Sequence, residues 1–232
     1  MRDAPSRNQI RKAASIIRHG ITPDPRSYDD LRDAVDTIQR FRAAHSMPLG
    51  KANMGLRSIA YSLAINTEVS QRLKRLATIV DKLHRHPTMD LSRMQDIGGC
   101  RAVVPTIDDL RQIERRLKHN RPPVGYDDYI LSPRDSGYRA VHVVVCYEDL
   151  ERVDRRIEVQ LRTPTMHAWA IAVERLSGRL DVDVKSGLGP PEVQAWLSWI
   201  SEAMALEEAG LVVPEALLVK IGEARQAAVP FM

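Results

Sequence analysis

Hydrophobic positions along the chain change their period twice, which divides it into three parts. From residue 1 to about 66 the spacing is helical. Ile10, Ala13, Ala14 and Ile17 form one stripe within Ser6 to His19, and Leu31, Val35, Ile38 and Phe41 form another within Tyr28 to Ala44. Breaks are expected around Gly20 to Asp24 and near Pro48 to Gly50, where Pro, Gly and Asp gather. Residues 67 to 185 alternate between helical and strand periods. They predict a helix Ser70 to Arg85, a strand Cys100 to Val104, a helix Asp108 to Lys118 and a strand Tyr129 to Leu131. A turn Ser132 to Gly137, a long strand Tyr138 to Tyr147, a strand Ile157 to Arg162 and a helix Thr165 to Leu176 follow. The strand-like runs are β-branched and nearly continuous, which predicts a mixed sheet covered by helices. From 186 to 232 the spacing is helical again, after the linker Ser186-Gly187-Leu188-Gly189-Pro190-Pro191. Trp196, Trp199, Ile200 and Met204 form a stripe that reads as a packing face. One compact domain with helical extensions suits 232 residues.

One strand is unusual. In Arg156-Ile157-Glu158-Val159-Gln160-Leu161-Arg162 the apolar residues alternate with a carboxylate, an amide and a guanidinium. If Ile157, Val159 and Leu161 are buried, Glu158, Gln160 and Arg162 are displayed together. A second carboxylate, Asp96, stands just before the apolar run Ala102-Val103-Val104. Two carboxylates on neighbouring strands, ringed by Arg and Lys, suit magnesium-dependent phosphate chemistry.

Composition narrows the partners. Lys plus Arg number 34 against 30 Asp plus Glu, a net +4 carried mostly by Arg, with a pI near 9.2. Arg suits phosphates through its planar fork, so a nucleotide or nucleic acid is favoured. The two cysteines, Cys100 and Cys146, lie in apolar runs and read as core residues, with neither a disulfide nor a metal site expected. No stretch approaches membrane-spanning length and the N-terminus has no apolar signal region, so a cytoplasmic setting is expected.

Two further clusters bear chemistry. Lys74, Thr78 and Lys82 fall at i, i+4 and i+8, one stripe on the expected Ser70 helix, opposite Leu76, Val80 and Leu83, with Arg72 before them. Alone, such a stripe is better read as a solvated basic face, and it gains weight because it leads directly into Asp96 and Arg101. In Ser132-Pro133-Arg134-Asp135-Ser136-Gly137-Tyr138-Arg139-Ala140-Val141-His142 the Pro and Gly make a turn whose amides could approach an anion. Tyr138 and His142 would share a strand face, and an exposed Tyr beside Arg and His is a platform for a base and its phosphates. A hairpin with Tyr packed on the sheet fits equally well.

These four blocks, Arg72 to Lys82, Asp96 to Arg101, Pro133 to His142 and Glu158 to Thr163, resemble the RelA/SpoT synthetase domain in order and spacing, from near Arg72 to Glu174. The resemblance implies an α+β fold with about five strands, and a pyrophosphokinase that moves the β,γ-pyrophosphate of ATP to a ribose 3′-hydroxyl. It implies that Arg72 and Arg101 sandwich the adenine while Lys74, Thr78 and Lys82 hold the ATP phosphates. Asp96 and Glu158 would bind Mg2+, and Glu158 with Gln160 would orient or deprotonate the attacking hydroxyl. Tyr138 would stack on the acceptor base, with Arg134 and His142 near the acceptor phosphates.

Three departures stand out. Arg134 replaces the family's usual Lys, and Val173-Glu174-Arg175-Leu176 keeps the Glu of a common Glu-His pair without its His. His84-Arg85-His86-Pro87 is not a His-Asp metal motif, so the hydrolase half of bifunctional relatives is not expected. Gln71 to Arg75, Met94 to Arg101 and Ala170 to Glu174 look most like the single-domain phage- and prophage-associated branch, which includes toxic small alarmone synthetases. That branch holds both tRNA-modifying and alarmone-making members; by the Arg-rich N-terminal helix and the basic pI, the favoured acceptor is the 3′ CCA end of tRNA. A guanosine or adenosine alarmone stands as the alternative, and a non-catalytic nucleotide or RNA sensor as a second. Toxicity implies an antitoxin protein as partner, and a homo-oligomer is possible for the family.

Overall fold

The computed structural model describes residues 4–20 and 26–232, so most of the break expected over Gly20 to Asp24 lies outside the described residues. Helix α1 (Arg7–His19) opens on a capping box in which the Ser6 hydroxyl accepts from the Gln9 amide and the Gln9 side chain accepts from the Ser6 amide. Helices α2 (Arg26–Ala43) and α3 (Ser46–Ser62) follow. The break expected near Pro48 to Gly50 does not occur. Pro48 is the third residue of α3, where a missing amide hydrogen costs no intrahelical bond.

The sheet has five strands: β1 (Glu68–Leu73), β2 (Gly98–Val103), β3 (Gly125–Asp128), β4 (Val141–Glu148) and β5 (Asp154–Arg162). Their spatial order is β1-β2-β5-β4-β3, and only the β2–β5 pair is parallel. Helices α4 (Leu76–Arg85), α5 (Ile107–Asn120), α6 (Pro164–Leu180), α7 (Pro191–Glu208) and α8 (Glu215–Ala228) complete the chain. The fold is therefore α+β with a mixed five-stranded sheet flanked by helices.

The two faces of the sheet differ. Cys100, Ala102, Val143, Val145, Ile157, Val159 and Leu161 pack with Leu56 of α3 and Leu110 and Ile113 of α5 in one core. A second core joins α1, α2 and α4 through Ile10, Ile38, Ile79 and Leu83 to Ile97 at the foot of β2. A third joins Tyr138 and Ala140 to Trp169 and Val173 of α6 and Leu197 of α7. Trp196, Ile200 and Met204 pack against this third core, whereas Trp199 lies under the Lys220 ammonium, 4.7 Å from its ring.

Element boundaries correct the sequence reading in three places. The expected helix Ser70 to Arg85 is a strand, β1, and a separate helix, α4. The chain leaves the sheet where the Lys74 amide donates to the Ile97 carbonyl at 2.8 Å. Glu68 to Leu73 alternates as well as it spirals, and six antiparallel pairings with β2 decide for the strand. The strand expected at Tyr129 to Leu131 lies earlier, as β3, and the Asp128 carboxylate accepts the Ile130 and Leu131 amides to turn the chain there. The long strand begins at Val141 rather than Tyr138, because Tyr138 to Ala140 run into the third core. Both cysteines are free; Cys100 is buried and Cys146 half-buried.

Candidate active site

Strand register gathers the polar residues. Glu158 pairs with Gly99 and Val144, and Gln160 with Arg101 and His142. Arg72 sits opposite Gly99 on β1, and Ser70 opposite Arg101. Laterally paired residues point to the same face, so Arg72, Arg101, Glu158, Gln160, Arg162 and His142 share the sheet surface turned away from α3 and α5. Parity along four strands does this, and a one-residue slip would have scattered them.

Two carboxylates organise this face. Asp96, in the turn before β2, receives the Lys74 ammonium at 2.9 Å on Oδ2, while Lys82 reaches Oδ1 at 3.2 Å and Oδ2 at 3.1 Å. Burial pushes the Asp96 carboxyl up, but Lys74 and Lys82 outweigh it and hold it below the usual range, and the negative field of Glu158 is felt there as well. Lys74 and Lys82 converge as expected, though not as one helical stripe: Lys74 stands in the β1–α4 connection and Lys82 on α4. Thr78 is exposed on the first part of α4 and no contact ties it to Asp96.

Glu158 is held from both sides. Its Oε1 accepts from His142 Nδ1 at 3.1 Å and its Oε2 from Gln160 Nε2 at 2.6 Å. Burial raises its pKa, and these two donors more than reverse the effect. His142 Nε2 meets the Tyr138 hydroxyl at 2.7 Å, and Arg162 donates to that hydroxyl at 2.9 Å and to Gln160 Oε1 at 2.7 Å. Among the described residues no group of three or more His, Cys, Asp or Glu forms a protein-only metal cage.

The platform expected at Tyr138 is a correction: its side chain is 0% exposed. The Lys185 ammonium lies 4.5 Å from its ring centroid, Trp169 packs at 6.2 Å, and Arg134 lies 5.6 Å away but closer to Tyr129, 4.5 Å from that ring and bonded to its hydroxyl at 2.8 Å. Nor is the turn a free amide cradle. Gly137 is buried at φ +83°, and an added Cβ would stand 2.8 Å from Ser201 Cβ and 3.0 Å from the Leu197 carbonyl of α7. Arg162, expected on display with Glu158 and Gln160, is 1% exposed.

Lys185 was not foreseen. It arrives on the short 3-10 turn Val184–Ser186, its carbonyl accepts from the Ser136 hydroxyl at 2.9 Å, and its ammonium meets Glu174 at 3.5 Å. Burial above all lowers its pKa to about 8. A lone Lys between Val and Ser carries no sequence signal of such a place.

Residues 71–175 match the region found in RelA/SpoT proteins. Over this stretch the chain is similar to that family. The chain is 33% identical over 143 residues to the GTP pyrophosphokinase YjbM of Bacillus subtilis, covering 58% of this chain and 65% of that protein. It is 30% identical over 129 residues to the GTP pyrophosphokinase YwaC of the same organism, covering 50% and 60%. The chain thus spans about three fifths of these relatives' lengths. Among solved structures, the small alarmone synthetase 1 of Bacillus subtilis bound to its product pppGpp superimposes with a TM-score of 0.67 at 26% identity, over 75% of this chain and 94% of that one. No helix of the chain, among the described residues, is long and apolar enough to cross a membrane.

Proposed function

We propose that the chain is a nucleotide pyrophosphokinase that moves the β,γ-pyrophosphate of ATP onto the ribose 3′-hydroxyl of a guanosine nucleotide. The hydroxyl oxygen attacks the β-phosphorus, the bond from that phosphorus to the α,β-bridging oxygen breaks, and AMP leaves with the bridging oxygen. The hydroxyl proton passes to Glu158. The observation that supports this most is the pair of charge centres on one face, Asp96 between two lysines and Glu158 between His142 and Gln160. Transfer of this kind asks for position and charge cancellation more than covalent help.

In this reading Arg72 and Arg101 bracket the adenine, Lys74 and Lys82 move from Asp96 to the ATP phosphates, and Thr78 lies along the same track. Asp96 and Glu158 supply two hard oxygen ligands, which suits Mg2+, an ion that takes one or two carboxylates and leaves its other positions to water and phosphate. When bound, the ion would neutralise charge on the transferred group. Gln160 keeps Glu158 oriented, and Tyr138, His142 and Arg134 define the acceptor side. A guanosine acceptor is favoured by the pppGpp held in the small alarmone synthetase structure.

The other acceptor is the 3′ CCA end of tRNA, with growth arrest and an antitoxin partner as its consequences. Its main support was the basic N-terminal helix. Two of that helix's cations are engaged inside the molecule: Arg11 binds Asp90 at 2.8 Å, and Arg18 donates to the Leu83 and Met89 carbonyls. That observation favours the free nucleotide. The deciding experiment incubates the protein and Mg2+ with ATP labelled on its γ-phosphate, offering GDP, GTP, ATP and deacylated tRNA separately. Label on GDP or GTP is the expected result. Label on tRNA alone identifies the toxin reading, and ATP binding without label on any acceptor identifies a sensor.

A further inference from the structure

Five side chains close into a ring on the active face. Arg162 donates to Gln160, Gln160 to Glu158, His142 also to Glu158, and His142 returns through Tyr138 to Arg162. We infer that Arg162 is a positioning residue for pyrophosphate transfer, setting the direction of every hydrogen bond in this ring so that both oxygens of Glu158 receive donors. The inference rests on the role proposed above for Glu158.

The reason is that a guanidinium only donates, whereas each of the other bridging members can face either way. Given Arg162 Nη2 at 2.7 Å, Gln160 must present its oxygen there, which leaves its amide nitrogen for Glu158 Oε2. Given the same Nη2 at 2.9 Å, the Tyr138 hydroxyl must accept, so its own hydrogen turns to His142 Nε2. His142 then presents a lone pair at Nε2 and its N–H at Nδ1, on Glu158 Oε1. Every donor in the ring therefore runs from Arg162 toward Glu158, and no buried hydroxyl hydrogen is left without an acceptor. Without Arg162, a flipped Gln160 or the other His142 tautomer would set a lone pair against the carboxylate.

A purely structural role fits less well. Arg162 is almost fully buried, its ring partners Tyr138 and Gln160 are both uncharged, and its Nε and Nη1 have no hydrogen-bond partner. A buried charge in such a setting is costly, and an apolar side chain of similar volume would pack with less penalty. Retaining guanidinium there makes sense where its donor geometry matters.

The experiment compares full-length wild type, Arg162→Lys and Arg162→Met in two readouts. Steady-state pyrophosphate transfer to GDP should show kcat falling about a hundredfold in Arg162→Met, in the range that a mis-set general base produces, with KM for both nucleotides little changed. Arg162→Lys, which keeps a donor without the fork, should recover part of the rate. The 15N resonances of the His142 ring should show Nδ1 protonated and Nε2 bare in wild type, and a mixture of tautomers in Arg162→Met. If Arg162→Met does not fold, Tyr138→Phe severs the same link and should show the same tautomer mixing. A loss confined to KM would make Arg162 a phosphate ligand and overturn the proposal, as would an unchanged His142 tautomer in either variant. Absence of transfer by wild type would sink the function proposed for the site, while the tautomer comparison would still decide the role of Arg162.

Discussion

Lys185 stands over Tyr138, its ammonium 4.5 Å from the centre of the phenol ring. The ring has no exposed surface, so the acceptor base of the proposed reaction could reach it only if Lys185 swings aside. Lys185→Ala is therefore expected to lower KM for GDP several-fold with kcat nearly constant. A raised KM would show that the ammonium grips the acceptor phosphates instead.

Asp96 is the only described carboxylate that meets both Lys74 and Lys82. Asp96→Asn removes that anchor and one proposed oxygen ligand for Mg2+. Transfer should fall at least about a hundredfold, the scale of losing one preorganised electrostatic contact, and should need more Mg2+ for half-maximal rate. Circular dichroism should be unchanged. A rate within a few-fold of wild type, at the same Mg2+ requirement, would remove Asp96 from the metal site.

Gly137 joins the turn before Tyr138 to α7. Its φ of +83° disfavours any side chain, and an added Cβ would press on Ser201 and the Leu197 carbonyl. Gly137→Ala should cost about 2 kcal/mol or more, read as a lower urea midpoint, because both strain and a backbone collision oppose it. An unchanged midpoint would mean that α7 is not held to this turn.

His45 gives the fold a pH dependence. It is buried between α2 and β2, donates from Nδ1 to the Phe41 carbonyl at 2.9 Å, and meets the Phe41 ring edge-on at 4.8 Å. Burial lowers its pKa from 6.5 to about 4, against the weaker raising effect of that hydrogen bond. Between these values the unfolded chain holds more protons, so stability falls as pH drops through the interval, by up to about 3 kcal/mol. His45→Gln should lose less stability than wild type between pH 7 and pH 4.5. Equal losses would locate the acid sensitivity elsewhere.

Local pattern was enough wherever one period had no rival. The amphipathic stripes of α1, α2, α5 and α6 emerged within one or two residues of their ends, or slightly longer in α6, because buried positions at i, i+3 and i+4 fit no strand. Ser70 to Leu73 failed that test, since a short stretch with few apolar residues satisfies both periods and only pairing with β2 chooses. Tyr138 was misplaced for a similar reason. Its neighbours supply two-residue alternation, but burial depends on α6, α7 and Lys185, whose approach no local spacing encodes.

The sequence by itself determined the chemical cast: Asp96, Lys74, Lys82, Glu158, Gln160, His142 and the arginines are readable because alternation and spacing are local properties of the chain. It also determined the class of fold, since element order and period limit how a sheet can be covered. Only the tertiary structure decided that Tyr138 is enclosed, that Arg162 turns inward to close a ring on Glu158, and that Lys185 returns from beyond α6 to lie over Tyr138. Those outcomes depend on residues far apart in the chain meeting across packed elements, where donor counting and steric fit, rather than local period, choose the arrangement.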